Sequence, residues 1–143
     1  MKRKTVVACL LMSLMTVAAY SGEQRSGSTG LPPLTLDSLT GRDSFNFYCA
    51  TCHGLDGRGA GPVAASLKRQ PADLTVLTRR HGGTFPRSDV ISFVNGTGRP
   101  VPAHGPSDMP VWGPILRALE GSDSRVKVRI ENIVSYIESL QVR

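Results

Sequence analysis

Apolar residues recur at helical spacing most clearly toward the end of the chain. Val126, Ile130, Ile133, Val134, Ile137 and Leu140 form one stripe, with Arg125, Lys127, Arg129, Glu131 and Glu138 mostly on the other face. Gly121-Ser122-Asp123 supplies the start of that final helix. A shorter set, Val90, Ile91, Phe93 and Val94, predicts a helix over Arg87 to Asn95, capped by Ser88 before and Gly96 after, with Val90 and Val94 facing the core. Asp37 or Ser38 caps a first helix over residues 38–52, whose apolar positions include Leu39, Phe45, Tyr48 and Cys49. Residues 54–72 are mostly loop, with glycines where the chain must turn.

A different apolar run lies near the start. Met1-Lys2-Arg3-Lys4 is followed by Thr5 to Tyr20, and Val17-Ala18-Ala19 supplies small residues of the kind a signal peptidase reads. Residues 1–19 are therefore read as an export signal cleaved after Ala19, with Ser21 or Gly22 as the fallback boundary. The run is short for a membrane span of about 20 residues, although an uncleaved signal would act as an anchor. Cys9 follows Val6-Val7-Ala8 in the manner of a lipoprotein box, but only Thr5 separates that box from the basic residues, so Cys9 is read as part of the signal core. Residues 20–36 include the polar Gly/Ser-rich stretch Ser21 to Gly30 and form a flexible tail.

Composition changes this picture in two ways. Fifteen glycines and ten prolines in 143 residues predict long turns and little sheet, and four Phe, three Tyr and one Trp leave a small aromatic core that a buried macrocycle would help to fill. Without Lys2, Arg3 and Lys4, the 17 basic residues fall to 14 against 11 acidic ones, and the formal charge falls from +6 to +3. The basic character then gives little reason to expect nucleic-acid binding.

The chemistry concentrates at Cys49-Ala50-Thr51-Cys52-His53. Two thiols three residues apart share a helical face, so both can bond one flat ring at its edge, and the next residue places an imidazole nitrogen where it can bind iron. This is the C-x-x-C-H pattern of covalent c-type haem attachment. A dithiol redox pair and half of a zinc site are the alternatives, the latter drawing on His53, His81 and His104. A thioredoxin-like βαβ context and a second C-x-x-C are both missing. Export in an oxidising compartment strengthens the haem reading, because Cys49 and Cys52 are then the only cysteines of the mature chain. Met109, in Asp108-Met109-Pro110-Val111-Trp112-Gly113, offers a soft neutral thioether for the sixth position of the iron, with His104 and His81 as rivals. His81, on a glycine-rich loop, is read as a surface residue. No Ser/His/Asp arrangement, phosphate loop or carboxylate-rich metal motif accompanies these residues, so no enzyme activity is expected.

Gly41, Phe45 and Cys49 stand at the Gly-x-x-x-aromatic-x-x-x-Cys spacing of class I cytochromes c, which the chain resembles over residues 38–141. Pro71 to Thr75 and Thr78 to Gly83 also resemble a segment common in small bacterial cytochromes c. The resemblance implies an all-α cytochrome c fold over residues 37–143, with three to five helices and long loops wrapped around one covalently bound haem c. It implies that Ile133 and Tyr136 cross the first helix at Gly41. It also implies that Gly61-Pro62 offers a backbone carbonyl to His53, that Met109 is the distal ligand, and that Trp112 borders the haem. The expected function is periplasmic electron transfer on a six-coordinate His53/Met109 iron. Docking would be transient, between Lys68, Arg69, Arg79, Arg80, Arg87 and Arg99 and an acidic redox partner. The alternatives are a membrane-tethered cytochrome subunit of a dehydrogenase or oxidase, and a haem sensor or enzyme with a labile distal ligand.

Overall fold

The computed structural model describes residues 35–97 and 108–142. The expected signal, nearly all of the expected tail, and His104 and Arg99 lie outside the described residues. Among the described residues there are six helices and no strand: α1 (Gly41–Tyr48), α2 (Ala50–His53), α3 (Leu77–Arg80), α4 (Arg87–Asn95), α5 (Trp112–Glu120) and α6 (Asp123–Ser139). The described residues are all-α, as expected. The count exceeds three to five because α2 and α3 are single turns of four residues each.

The first helix starts later than expected and breaks before its end. Thr40, not Asp37 or Ser38, is its N-cap and accepts the Asp43 N–H through its hydroxyl. The Ser38 hydroxyl instead reaches the Asp43 carboxylate at 2.6 Å. The helix stops at Tyr48, with Cys49 as cap, and restarts as α2.

Helix α6 runs seventeen residues from its Ser122 N-cap, whose hydroxyl accepts the Arg125 N–H. Its stripe is buried as the spacing requires: Val126, Ile130, Ile133, Val134 and Ile137 are all at most 4% exposed. It crosses α1 at Gly41, where a side chain would run into the Asn132 carbonyl and lie 2.9 Å from Tyr136 Cβ. Phe45 packs beside the crossing, its ring centroid 5.3 Å from that of Tyr136. The absence of a side chain at Gly41 is what lets the two backbones approach.

Arg129 departs from the expected polar face. It is fully buried, although an arginine of α6 would ordinarily face water. Its position three residues after Val126 and four before Ile133 puts it on the apolar stripe. The guanidinium is satisfied there: Nε pairs with Glu120, Nη1 donates to the Ser38 carbonyl (2.6 Å) and the Ser44 hydroxyl (2.9 Å), and Nη2 donates to the Leu36 carbonyl. It also lies 5.6 Å over the Tyr48 ring, within cation–π range. Leu36, at the end of the expected flexible tail, is thus bound to the helical unit.

Helix α4 begins after Pro86 rather than through a Ser88 side-chain cap, and ends at Gly96 in the left-handed conformation. Val94 is buried and Val90 packs against the core, as expected. Helix α5 is not anticipated by the apolar pattern as read. Its Pro114 sits in the first turn, where a missing N–H costs nothing, and Gly121 closes it in the left-handed conformation.

Candidate functional site

The local fold around Cys49 follows from the helix break. The Cys49 N–H completes α1 by bonding to the Phe45 carbonyl (2.8 Å), while the Cys49 carbonyl accepts from both Cys52 (3.1 Å) and His53 (2.9 Å). The thiols therefore stand one turn apart at a bend. Both are free and half-buried. Burial, with the neighbouring Cys52 as a smaller contribution, pushes the Cys49 thiol up to about 12, so it is a neutral S–H in the folded protein.

His53 is buried, 8% exposed. Burial pulls its pKa below the ordinary value, and the Ala72 carbonyl works in the opposite direction without overcoming it. Its Nδ1 lies 3.0 Å from that carbonyl, which places the proton on Nδ1 and leaves the Nε2 lone pair available. A neutral imidazole held in this tautomer is the form that binds iron.

The orienting carbonyl is thus that of Ala72, not the one expected at Gly61-Pro62. The loop after α2 is committed elsewhere. Gly59 N–H bonds the His53 carbonyl (2.7 Å), Gly61 N–H bonds the Cys52 carbonyl (3.0 Å), and Val63 N–H bonds the Thr51 carbonyl (3.2 Å). Gly61 is wedged against α2 so tightly that a Cβ would lie 2.6 Å from the Ala50 carbonyl oxygen, and Pro62 faces solvent. The chain then returns to the histidine through Pro71, against which Gly59 packs without room for a side chain.

Met109 is half-buried and packs against the core cluster of Tyr48, Val94, Leu116, Val126, Ile130 and Val134. Cys49 and Trp112 pack on the same cluster, and Trp112 meets Tyr48 edge-on at 5.4 Å. Asp108, beside Met109, accepts the Arg69 N–H at 3.3 Å, linking this segment to the loop that follows the motif. The structure brings Cys49, Met109 and Trp112 onto one apolar cluster, and Cys49 also touches the second, built on Phe45, Ala50, Ile133 and Ile137. His81 is exposed at the end of α3, its Nδ1 2.8 Å from the Leu77 carbonyl.

Of the expected docking cations, Lys68, Arg69, Arg79 and Arg80 are exposed. Arg87 is committed to α6, with 2.6 Å contacts to both Glu138 and the Ser135 hydroxyl and a longer one to Glu131. Among the described residues, no three of His, Cys, Asp and Glu form a group that could hold a metal ion.

These residues fit a covalently bound haem. Two free thiols one turn apart suit thioether formation, a neutral buried imidazole with a free Nε2 suits the proximal position, and a thioether on an apolar cluster suits the distal one. Three contributors escaped the sequence reading: Ala72, Arg129 and the C-terminal Gln141 described below. Only Arg129 left a signal, its place on the apolar stripe. No family model, curated protein or solved structure matches the chain.

Proposed function

We propose that this protein is an exported c-type cytochrome of class I character that carries one electron at a time between periplasmic redox partners. One observation carries the reading: directly after the free pair Cys49 and Cys52, His53 is buried, neutral and fixed through Nδ1, with Nε2 left for iron. Cys49 and Cys52 would hold the haem by thioether bonds, His53 would bind the iron from one side, and Met109 from the other. When bound, the haem supplies a one-electron Fe(III)/Fe(II) couple whose potential methionine ligation raises.

The remaining work belongs to the protein. The Ala72 carbonyl keeps the histidine proton on Nδ1 and the ring in one orientation. Tyr48, Val94, Leu116 and Trp112 exclude water on the Met109 side. Exposed Lys68, Arg69, Arg79 and Arg80 would steer an acidic partner by long-range attraction, and Arg87, being paired, would contribute little.

The test is an absorption spectrum of the exported protein with intact mass. A haem mass adduct that resists acid–acetone extraction, a low-spin spectrum and the weak far-red band of Met–Fe(III) coordination are expected, with Met109→Ala abolishing the band. A colourless protein whose two thiols both react with an alkylating agent would overturn the reading. A five-coordinate, high-spin wild type would redirect it to a haem sensor or enzyme.

A further inference from the structure

The carbonyl that orients His53 lies on a segment with little regular structure to hold it. Residues 67–73 contain no helical residue, and Ala72 itself is exposed. Arg69 N–H to Asp108 and Gln70 Nε2 to the Gly59 carbonyl hold its first part, and what holds the chain just after Asp73 comes from beyond the end of α6. The Gln141 side chain uses both ends of its amide there: Nε2 donates to the Leu74 carbonyl (2.7 Å) and to the Ile137 carbonyl (2.9 Å), and Oε1 accepts the Thr78 N–H (2.9 Å). The next residue adds a backbone bond, Val142 N–H to the Thr75 carbonyl at 2.8 Å.

Inside this clamp the chain is stiffened locally. The Asp73 carboxylate accepts from the Thr75 N–H (2.8 Å) and hydroxyl (2.6 Å), and the Leu74 N–H bonds the Gly57 carbonyl (2.8 Å). Ala72 is only two residues from the clamped Leu74. The geometry points to Gln141 as a positioning residue for His53: it holds Leu74 to Thr78 against the end of α6 and so fixes the Ala72 carbonyl at Nδ1. This inference rests on the haem reading above, in which His53 binds the iron.

The consequence has a definite sign. An Nδ1–H donated to a carbonyl makes Nε2 a more basic ligand, which favours the ferric state. Loosening the segment weakens that bond, favours the ferrous state and raises the midpoint potential.

The experiment compares wild-type holoprotein with Gln141→Ala, Gln141→Glu, Val142→Pro and Val142→Ala. Gln141→Ala removes all three side-chain bonds. Gln141→Glu keeps the acceptor for Thr78 but sets a carboxylate oxygen against the Leu74 and Ile137 carbonyls. Val142→Pro removes the backbone donor, whereas Val142→Ala retains it and serves as the control. The readouts are exchange of the His53 Nδ1–H by NMR and the midpoint potential. In Gln141→Ala, exchange is expected to accelerate about tenfold or more and the reduced form to be favoured about two- to fivefold. Gln141→Glu and Val142→Pro are expected to move both readouts in the same direction, and Val142→Ala to move neither. A purely structural role would lower thermal stability and leave both readouts at the control values, which would overturn the inference. If Gln141→Ala fails to accumulate, Gln141→Glu carries the test with the same two outcomes. Wild-type protein without covalent haem would instead overturn the reading beneath, a result visible before any variant is made.

Discussion

The Cys49–His53 turn is held between two regions built by different means. On one side, the α1–α6 crossing is made of side chains: Phe45, Ile133, Val134 and Ile137 are at most 3% exposed, and the buried Arg129 ties α6 to Glu120 and to the carbonyls of Leu36 and Ser38. On the other, the loop from 54 to 76 is made chiefly of main chain. Glycine N–H groups bond the carbonyls of the turn, Leu74 bonds Gly57, and a carbonyl meets the histidine ring. Apolar packing spreads its contribution over many weak contacts, so it tolerates small changes of shape at most positions. A loop threaded against a helix by its backbone depends on a few places where no side chain fits. The two regions should therefore fail differently.

The largest expected effect is on the crossing. Arg129→Met leaves Glu120, only 5% exposed, with Arg125 as its remaining cation and removes the donors to two carbonyls; breaking a buried pair costs at most about 3–5 kcal/mol, and the Arg125 contact should hold the loss toward the lower end. Urea unfolding measures it, and a loss below about 1 kcal/mol would break the claim that Arg129 anchors this side. Replacing the pair together, as Arg129→Met with Glu120→Leu, should recover a substantial part of the loss, because no unpaired charge is then left buried.

A smaller pair of effects compares one glycine from each region. Gly41→Ala forces α6 away from α1, an overpacking cost of about 1–3 kcal/mol that should appear as faster amide exchange along α6. Gly59→Ala costs about 1–2 kcal/mol for its left-handed backbone, φ +82°, before its clash with Pro71. It should accelerate exchange at Gly61 and Leu74 and leave α6 protected. If both variants loosen both regions equally, the two do not behave as separate units.

The smallest effect near neutral pH is that of pH itself. Burial works to raise the Glu120 pKa, but the hydrogen bonds from Arg129 and then Arg125 outweigh it and hold the carboxyl below the usual carboxylate range. A carboxyl with a depressed folded pKa contributes stability that is complete above its unfolded value, near 4.5, and is lost as pH falls through the folded one. Stability from this source should be flat from about pH 6 to 8 and fall below about pH 4.5. Glu120→Gln should flatten that acid slope in pH-dependent urea unfolding.

The side-chain region was also the more legible one. The α6 stripe, the Gly41 to Cys49 spacing, the Phe45 contact and the Gly96 cap are all apparent in the order of residues, because burial and close approach select particular side chains. Arg129 was assigned to the polar face by residue type, although its spacing places it on the stripe. Helix α5 was not read from the order of residues; its Pro114 occupies the first helical turn, where the missing N–H costs nothing. The loop was legible only in its glycines. Ala72 contributes a carbonyl, which every residue possesses, so nothing in its identity marks it; Pro62 was expected to present the carbonyl and faces solvent instead.

The α1–α6 crossing also has a consequence for folding. The hydrogen bond from Arg129 to the Ser44 hydroxyl joins residues 85 positions apart, so α1 gains its partner only by closing a long loop, at a cost in chain entropy. In the unfolded chain Cys49 is an ordinary thiol with a pKa of about 8.5. In the folded one it is pushed up to about 12 and half-hidden. The sulfur is therefore more accessible and more readily ionised in the unfolded chain than in the folded one.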